Sequence, residues 1–252
     1  MKHRWVIVGF TIIALIFAGI VFRAQRNHRR WAKSAAVYRI RAEQGDAKSQ
    51  LLLGSMYYYG KGVSKNYVEA VRWYRKSAEQ GNPKAEYSLC DAYHEGRGVP
   101  QDYAEAARWC REAADQSDAV AQYALGLVYS RGEGIAQDYS EAVRWYRKSA
   151  EQGYAMAQYA LGYTYFSGEG IARDYSEAVR WYRKSSEQGY AKAQYALGYM
   201  YYYGYGVPRD RAGANDLFQK AAAQDDEDGK RALECLRKGI SIDPGAGLSG
   251  LQ

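Results

Sequence analysis

At 252 residues the chain is long enough for one large domain or two small ones, and it carries 26 tyrosines against five phenylalanines. Its net charge of +7 does not point to nucleic acid: residues 1–33 hold seven basic and no acidic residues, and the remainder balances 28 against 28. A neutral body lacks the positive footprint that phosphate backbones require. Cys90, Cys110 and Cys235 form no C-x-x-C and are too sparse for a disulfide framework. They read most simply as small buried apolar residues. A Cys90–Cys110 bridge in an oxidising compartment stays open, because spacing does not give distance.

In chain order, the first element is Trp5 to Phe22, an uncharged apolar run. As a helix it spans about 27 Å, close to the hydrocarbon thickness of a bilayer. A cleaved signal peptide is the alternative, but the run exceeds the usual length and lacks a clear A-x-A site. Residues 1–33 are therefore expected to be a membrane anchor with a basic flank, and the chain a single-pass protein of a bacterial inner membrane. Both flanks are basic, so the rest of the chain is compatible with either the cytoplasmic or the periplasmic side. The segment after the run, with Arg23, Arg26, Arg29, Arg30 and Lys33, also suits anionic headgroups.

Residues 34–45 are expected to form a lone helix, and from about 47 to 226 a unit of 36 residues recurs five times. Ala119–Tyr154 and Ala155–Tyr190 differ at seven positions only. Leu53-Gly54, Leu125-Gly126, Leu161-Gly162 and Leu197-Gly198 keep the step, with Leu89-Cys90 in the gap; Trp73, Trp109, Trp145 and Trp181 keep it too. Such a period signals a stacked array in which each unit is stable only against its neighbours.

Within one unit, Ala121, Leu125 and Tyr129 mark a helical stripe. Gly126 costs helix stability, so a close approach of a second backbone is expected there. Gly132-Glu133-Gly134-Ile135 is a turn whose Ile135 plugs back into the core. Asp138 followed by Glu141 resembles a capping box, repeated at Asn66/Glu69, Asp102/Glu105 and Asp174/Glu177. A second helix places Ala142, Trp145 and Tyr146 on one side and stops at Gly153, as others do at Gly81 and Gly189.

The residues A-x-A-x-x-x-L-G-x-x-Y-x-x-G-x-G-[VI]-x-x-D-Y-x-x-A-x-x-W-Y-x-K-[SA]-[SA]-x-Q-G resemble the Sel1-like repeat, a relative of the tetratricopeptide repeat. The resemblance implies an all-α fold, a right-handed superhelical solenoid of helical hairpins preceded by the transmembrane helix. It also implies protein–protein contact and the assembly of membrane-associated complexes. The solenoid domain would run over 34–239, with half-repeats at each end (227–239 as a lone first helix), and 240–252 would be a flexible tail. Departures occur in the second unit, where Cys90 replaces Gly and Cys110 replaces Tyr. In the fifth, Leu217 replaces Trp.

The seven differences between the third and fourth units are Val120/Met156, Leu127/Tyr163, Val128/Thr164, Ser130/Phe166, Arg131/Ser167, Gln137/Arg173 and Ala150/Ser186. On a helical wheel 120, 127, 130 and 131, with Tyr123, share about a 100° arc opposite Leu125. In tetratricopeptide-like stacks this side lines the concave groove. Drift after duplication would also vary such positions, but drift on a solvated face introduces more charge than is found here. The expected partner-binding residues are Tyr87, Tyr123, Tyr159 and Tyr195 in one row, Tyr163 and Tyr199 in a second, and Tyr58, Tyr59, Tyr202 and Tyr203 near the rim. The opposing possibility is that the first row packs against the next hairpin.

Catalytic motifs are missing: no S-x-x-K, K-T-G, G-x-S-x-G or H-E-x-x-H occurs, and His94 is the only histidine in the array. The G-x-G pairs are turns, since no strand precedes them and no Lys-Ser/Thr follows. No cofactor and no metal are expected. The chain reads as a membrane-anchored scaffold that binds a protein or peptide segment in a tyrosine-rich groove. The alternative is a cell-envelope binder of glycan or peptidoglycan. A β-lactamase-like hydrolase, suggested by cysteine-rich proteins with similar repeats, ranks lower because their cysteine pairing and an activated serine are absent.

Overall fold

The computed structural model describes residues 30–242. The Trp5–Phe22 run lies outside them. Among the described residues no helix is long and apolar enough to cross a membrane. The regular structure there is helical: α1 (30–43), α2 (Ala47–Tyr59), α3 (Tyr67–Ala78), α4 (Pro83–Glu95), α5 (Tyr103–Asp115), α6 (Ala119–Arg131), α7 (Tyr139–Glu151), α8 (Ala155–Ser167), α9 (Tyr175–Glu187), α10 (Ala191–Tyr203), α11 (Arg211–Ala222) and α12 (Glu227–Lys238). The chain divides into two compact units, one ending at Gln101 and the other beginning at Asp102.

In the first unit α1 is the expected lone second helix, and α2 and α3 form a hairpin. Tyr74 of α3 lies on Gly54 of α2, so a Cβ at Gly54 would fall 2.7 Å from the ring. Ser77 Oγ donates to the Ala47 carbonyl at 2.7 Å and Gln80 Nε2 to Gln50 Oε1 at 2.7 Å, which fixes the far end of the hairpin. Successive repeats are tied by an arginine on one second helix and a tyrosine on the next first helix: Arg39 donates to Tyr57 Oη at 2.8 Å and Arg75 to Tyr93 Oη at 2.6 Å. Cys90 on α4 is disulfide-bonded.

The second unit repeats this scheme. Tyr146 lies on Gly126, Tyr182 on Gly162 and Phe218 on Gly198, each within 2.7 Å of where a Cβ would stand. The expected close approach at these glycines is thus made chiefly by a ring. Ser149 and Ser185 donate to the Ala119 and Ala155 carbonyls, and Gln152, Gln188 and Gln224 donate to Gln122, Gln158 and Gln194. Arg147 and Arg183 reach Tyr165 and Tyr201 at 2.8 and 3.1 Å. In the turns the second glycine has its own reason. Gly170, at φ +73°, sits so close to the first residue of the preceding second helix that a Cβ would meet the Tyr139 carbonyl at 2.3 Å. Cys110 on α5 is disulfide-bonded and Cys235 is free, so only Cys235 matches the reading of unbridged thiols.

The capping boxes form by half. Asp138 accepts from the Ser140 and Glu141 amides at 2.9 and 3.0 Å. Its own N–H, which the glutamate was expected to bind, already donates to the Tyr129 carbonyl at 3.0 Å. Glu141 turns instead to Arg144 at 3.1 Å, and Glu177 to Arg180 at 2.6 Å.

The tail expected at 240–252 begins as packed chain. Gly239, at φ +68°, closes α12. Tyr203 Oη then donates to the Ile242 carbonyl at 2.6 Å, and Ile242 is 3% exposed. Gly239 to Ile242 repeats the spacing of Gly204 to Val207, so Ile242 takes the place of the turn's apolar plug. Residues 243–252 lie outside the described residues.

The ring-on-glycine contact gives the first prediction. Gly162→Ala puts a methyl against a fully buried ring and is expected to lower unfolding free energy by about 1–3 kcal/mol in urea denaturation. An unchanged midpoint would mean the Tyr182 ring is free to move aside.

Candidate functional site

The ten tyrosines expected to line a groove do not share one environment. Tyr159 and Tyr195 are core: they are 2% and 3% exposed. The Tyr159 ring is tilted against Tyr182 at 5.7 Å and meets Tyr190 edge-on at 5.5 Å, while Tyr195 packs on Phe218 at 5.8 Å. For these two rings the structure gives the packing alternative, and neither is accessible to a partner. Tyr163 and Tyr199 are buried as well. Tyr58, Tyr87, Tyr123, Tyr202 and Tyr203 are half-buried. Tyr59 is 65% exposed. The cause is in the helices themselves: a first helix inside a stack has neighbours on several sides, and α8 buries all of 157–165.

What the variable positions build in the second unit is a cavity of about 320 Å³. Its lining includes Ser130 and Arg131 from the end of α6, Gln137 from the turn, Tyr139, Ala142 and Tyr146 from α7, Tyr163 and Thr164 from α8, and Glu169 from the next turn. Five of the seven positions at which the third and fourth repeats differ contribute a residue to it: Ser130, Arg131, Gln137, Tyr163 and Thr164. The sequence marked these positions as variable but gave no sign that they converge.

The cavity mixes aromatic walls with fixed polar groups. Tyr146 Oη donates to Ser130 Oγ at 3.1 Å, and Ser130 Oγ to the Leu127 carbonyl at 3.0 Å. Gln137 Nε2 holds both the Ser130 carbonyl, at 2.7 Å, and Tyr139 Oη, at 3.1 Å. Thr164, which also lines the cavity, donates its Oγ1 proton back to the Leu161 carbonyl at 2.8 Å. Burial pushes Tyr163 above the ordinary phenol range, and Glu169 and Tyr139 add to the shift. Arg131 stands loosely beside Glu133 at 3.9 Å. No nucleophile is paired with a base here. Among the described residues no group of three or more His, Cys, Asp or Glu is gathered within metal-binding reach.

Buried phenols make the fold sensitive to alkali. Burial raises Tyr74 and Tyr146 to about 12, against about 10 in an unfolded chain. The folded state holds these protons more tightly, so the stabilisation is complete below pH ~10 and is lost as pH climbs from ~10 through ~12. Circular dichroism and phenolate absorbance should therefore show cooperative unfolding in that window, with little change between neutral pH and ~9. In the same assay Tyr159→Ala is expected to cost about 3–5 kcal/mol, as truncation of a buried ring does, and Tyr59→Ala less than about 0.5.

The Sel1 repeat matches residues 47–82, 83–118, 119–154, 155–190 and 191–226. Among solved structures, a protective antigen present in uropathogenic Escherichia coli strains and displaying an SLR fold is 37% identical, with a TM-score of 0.75 over 85% of this chain. This chain spans 46% of that protein, about half its length. A Sel1 repeat protein from Oxalobacter formigenes is 32% identical, with a TM-score of 0.74 over 82% of this chain and 85% of its own. A Klebsiella pneumoniae protein, 22% identical with a TM-score of 0.53 over 79% of this chain and 97% of its own, shares the fold. No curated protein matches the chain significantly. Sel1-repeat proteins generally mediate protein–protein interaction on a scaffold that is generally non-catalytic. With five consecutive repeats over residues 47–226, the chain belongs to the Sel1 repeat family.

Proposed function

We propose that this protein is a membrane-tethered interaction scaffold that holds a segment of a protein partner against the variable face of its first helices. One observation carries the reading: a nearly constant frame concentrates its differences on one cavity, where Ser130, Arg131, Gln137, Tyr163 and Thr164 meet. Frame positions answer to packing, whereas a cavity lined by the few residues that change is suited to selecting a ligand. The accessible contact residues are then Arg131, Glu169 and Tyr139, with the buried Tyr163 as cavity lining and Tyr202 and Tyr203 further along the second unit.

Tethering rests on the uncharged run Trp5–Phe22. The oxidised state of Cys90 and Cys110 favours the array lying on the oxidising side of that membrane, because such bonds persist in the periplasm and not in the cytosol. A reporter fused after Gln252 that is active only outside the cytoplasm is expected to be active; a silent one would reverse the orientation.

The binding reading is tested in cells with a photo-crosslinking residue in the full-length chain. At Arg131, on the cavity rim, discrete protein adducts are expected. At the exposed Glu151, at the end of a second helix, they are not. Equal labelling at the two positions, or none at Arg131, would sink the assignment. Retention of the array by insoluble cell-wall polymer with no protein adduct would move the function to glycan binding.

A further inference from the structure

The repeats provide their own comparison for the cavity. The position of Ser130 holds Tyr58 in the first repeat, His94 in the second, Phe166 in the fourth and Tyr202 in the fifth. Only the third repeat has no ring there. In the fourth, the Phe166 ring is enclosed by Tyr175, Tyr199 and Tyr205, with centroids at 5.7, 6.2 and 6.4 Å. One repeat back, those three positions are Tyr139, Tyr163 and Glu169, all of which line the cavity. The vacant space is therefore the seat that an aromatic side chain fills next door.

The first repeat shows the same seat with a polar rim. There the Tyr58 ring meets Tyr67 edge-on at 5.1 Å, its hydroxyl donates to Asp91 Oδ2 at 3.1 Å, and Arg97 donates to that hydroxyl. Asp91 and Arg97 stand at the positions of Tyr163 and Glu169. A ring entering the third repeat would thus find stacking walls within and a carboxylate at the rim.

A second sign comes from the tyrosine behind the seat. Tyr146 has Ser130 as acceptor, whereas the buried hydroxyl of Tyr182, its equivalent in the fourth repeat, has no hydrogen-bond partner. In the fourth repeat, where Phe166 fills the seat, that hydroxyl has lost its acceptor; in the third repeat the acceptor is kept and the seat left open.

We propose that the cavity of the third repeat is an anchor pocket for one aromatic side chain, tyrosine or phenylalanine, of the partner segment. The inference rests on the scaffold reading above and names the chemistry its partner must carry. An aromatic anchor is suited to this role because a rigid ring buries a large area at little entropic cost.

The sequence contains two threonines, Thr11 and Thr164, so the Thr164 methyl is a reporter on a residue that lines the pocket. The full-length protein in lipid nanodiscs, with isotope-labelled threonine methyls, is titrated with N-acetyl-tyrosinamide and with N-acetyl-alaninamide. The tyrosine compound is expected to shift the Thr164 signal and the alanine compound to leave it. Ser130→Ala, which keeps the hole and deletes only the acceptor, retains the response. Ser130→Phe supplies the missing ring, displaces the Thr164 signal by itself and weakens N-acetyl-tyrosinamide at least about ten-fold. No shift in the wild type overturns the proposal, and so does a response that persists in S130F. Should S130F fail to fold, the wild-type and S130A titrations decide the matter. Partner crosslinking at Arg131 that survives S130F would leave the scaffold function standing and remove this pocket from it. Ring binding without any partner adduct would do the reverse.

Discussion

Four of the five hairpins depend on a flat ring lying on a helix that has no side chain beneath it. Tyr74 on Gly54, Tyr146 on Gly126, Tyr182 on Gly162 and Phe218 on Gly198 each close one hairpin. The glycine costs its helix about 1 kcal/mol relative to alanine, and the ring it admits buries far more than that returns in apolar contact. The leucine before each glycine, Leu53, Leu125, Leu161 or Leu197, is sealed by the same approach. The second repeat changes both partners together, with Cys90 where the glycine would be and Cys110 where the ring would be, and both are oxidised. A small sulfur in place of a hydrogen is tolerable when the ring is also gone.

Polar groups then set the register that rings alone leave loose. Three hairpins are pinned at the far end by a serine (Ser77, Ser149 or Ser185) and a glutamine reaching thirty residues back, and each step to the next repeat by an arginine reaching eighteen residues forward to a tyrosine hydroxyl. Buried Gln122 and Gln158 spend their amide hydrogens on the Ala114 and Ala150 carbonyls at the end of the preceding second helix. These bonds satisfy groups that would otherwise be costly to bury. They also explain why Gln and Arg recur in phase as faithfully as Leu, with Ser giving way to Ala113 and Ala221 in the second and fifth repeats.

Much of this was legible because the strongest signals are local. Asp or Asn before a helix and Gly after it act within one turn of chain, so the caps and boundaries of α3, α7 and α9 follow from residue type, while α5 keeps the Asp102 cap but turns at Ser117, at φ +67°, where the others have glycine. The glutamate half of the capping box failed because the Asp138 amide is claimed by Tyr129, a contact from the neighbouring helix that no local pattern encodes. The tyrosine rows failed in part for a related reason. A helical wheel assumes one solvent side, and α8 has almost none. Tyr159 and Tyr59 look alike in sequence, yet one is sealed and the other open. The cavity itself had a visible trace, a lone serine in a column of rings, but its meaning required knowing what those rings pack against.

That serine is where stability and function part. The fourth repeat shows what packing prefers at this position: a phenylalanine that touches three tyrosines, at the expense of a Tyr182 hydroxyl left without a hydrogen-bond partner. A cavity of this size forgoes the contacts that such a ring would make. The third repeat spends its polar groups on keeping the space in shape. Gln137 fixes the Tyr139 hydroxyl, Ser130 accepts from the Tyr146 hydroxyl, and Thr164 turns its hydroxyl to the Leu161 carbonyl of its own helix. Three independent hydrogen bonds thus hold the walls of an empty seat in the arrangement that a ring requires. An opening left by neutral drift has no need of such support, and this one is supported on three sides.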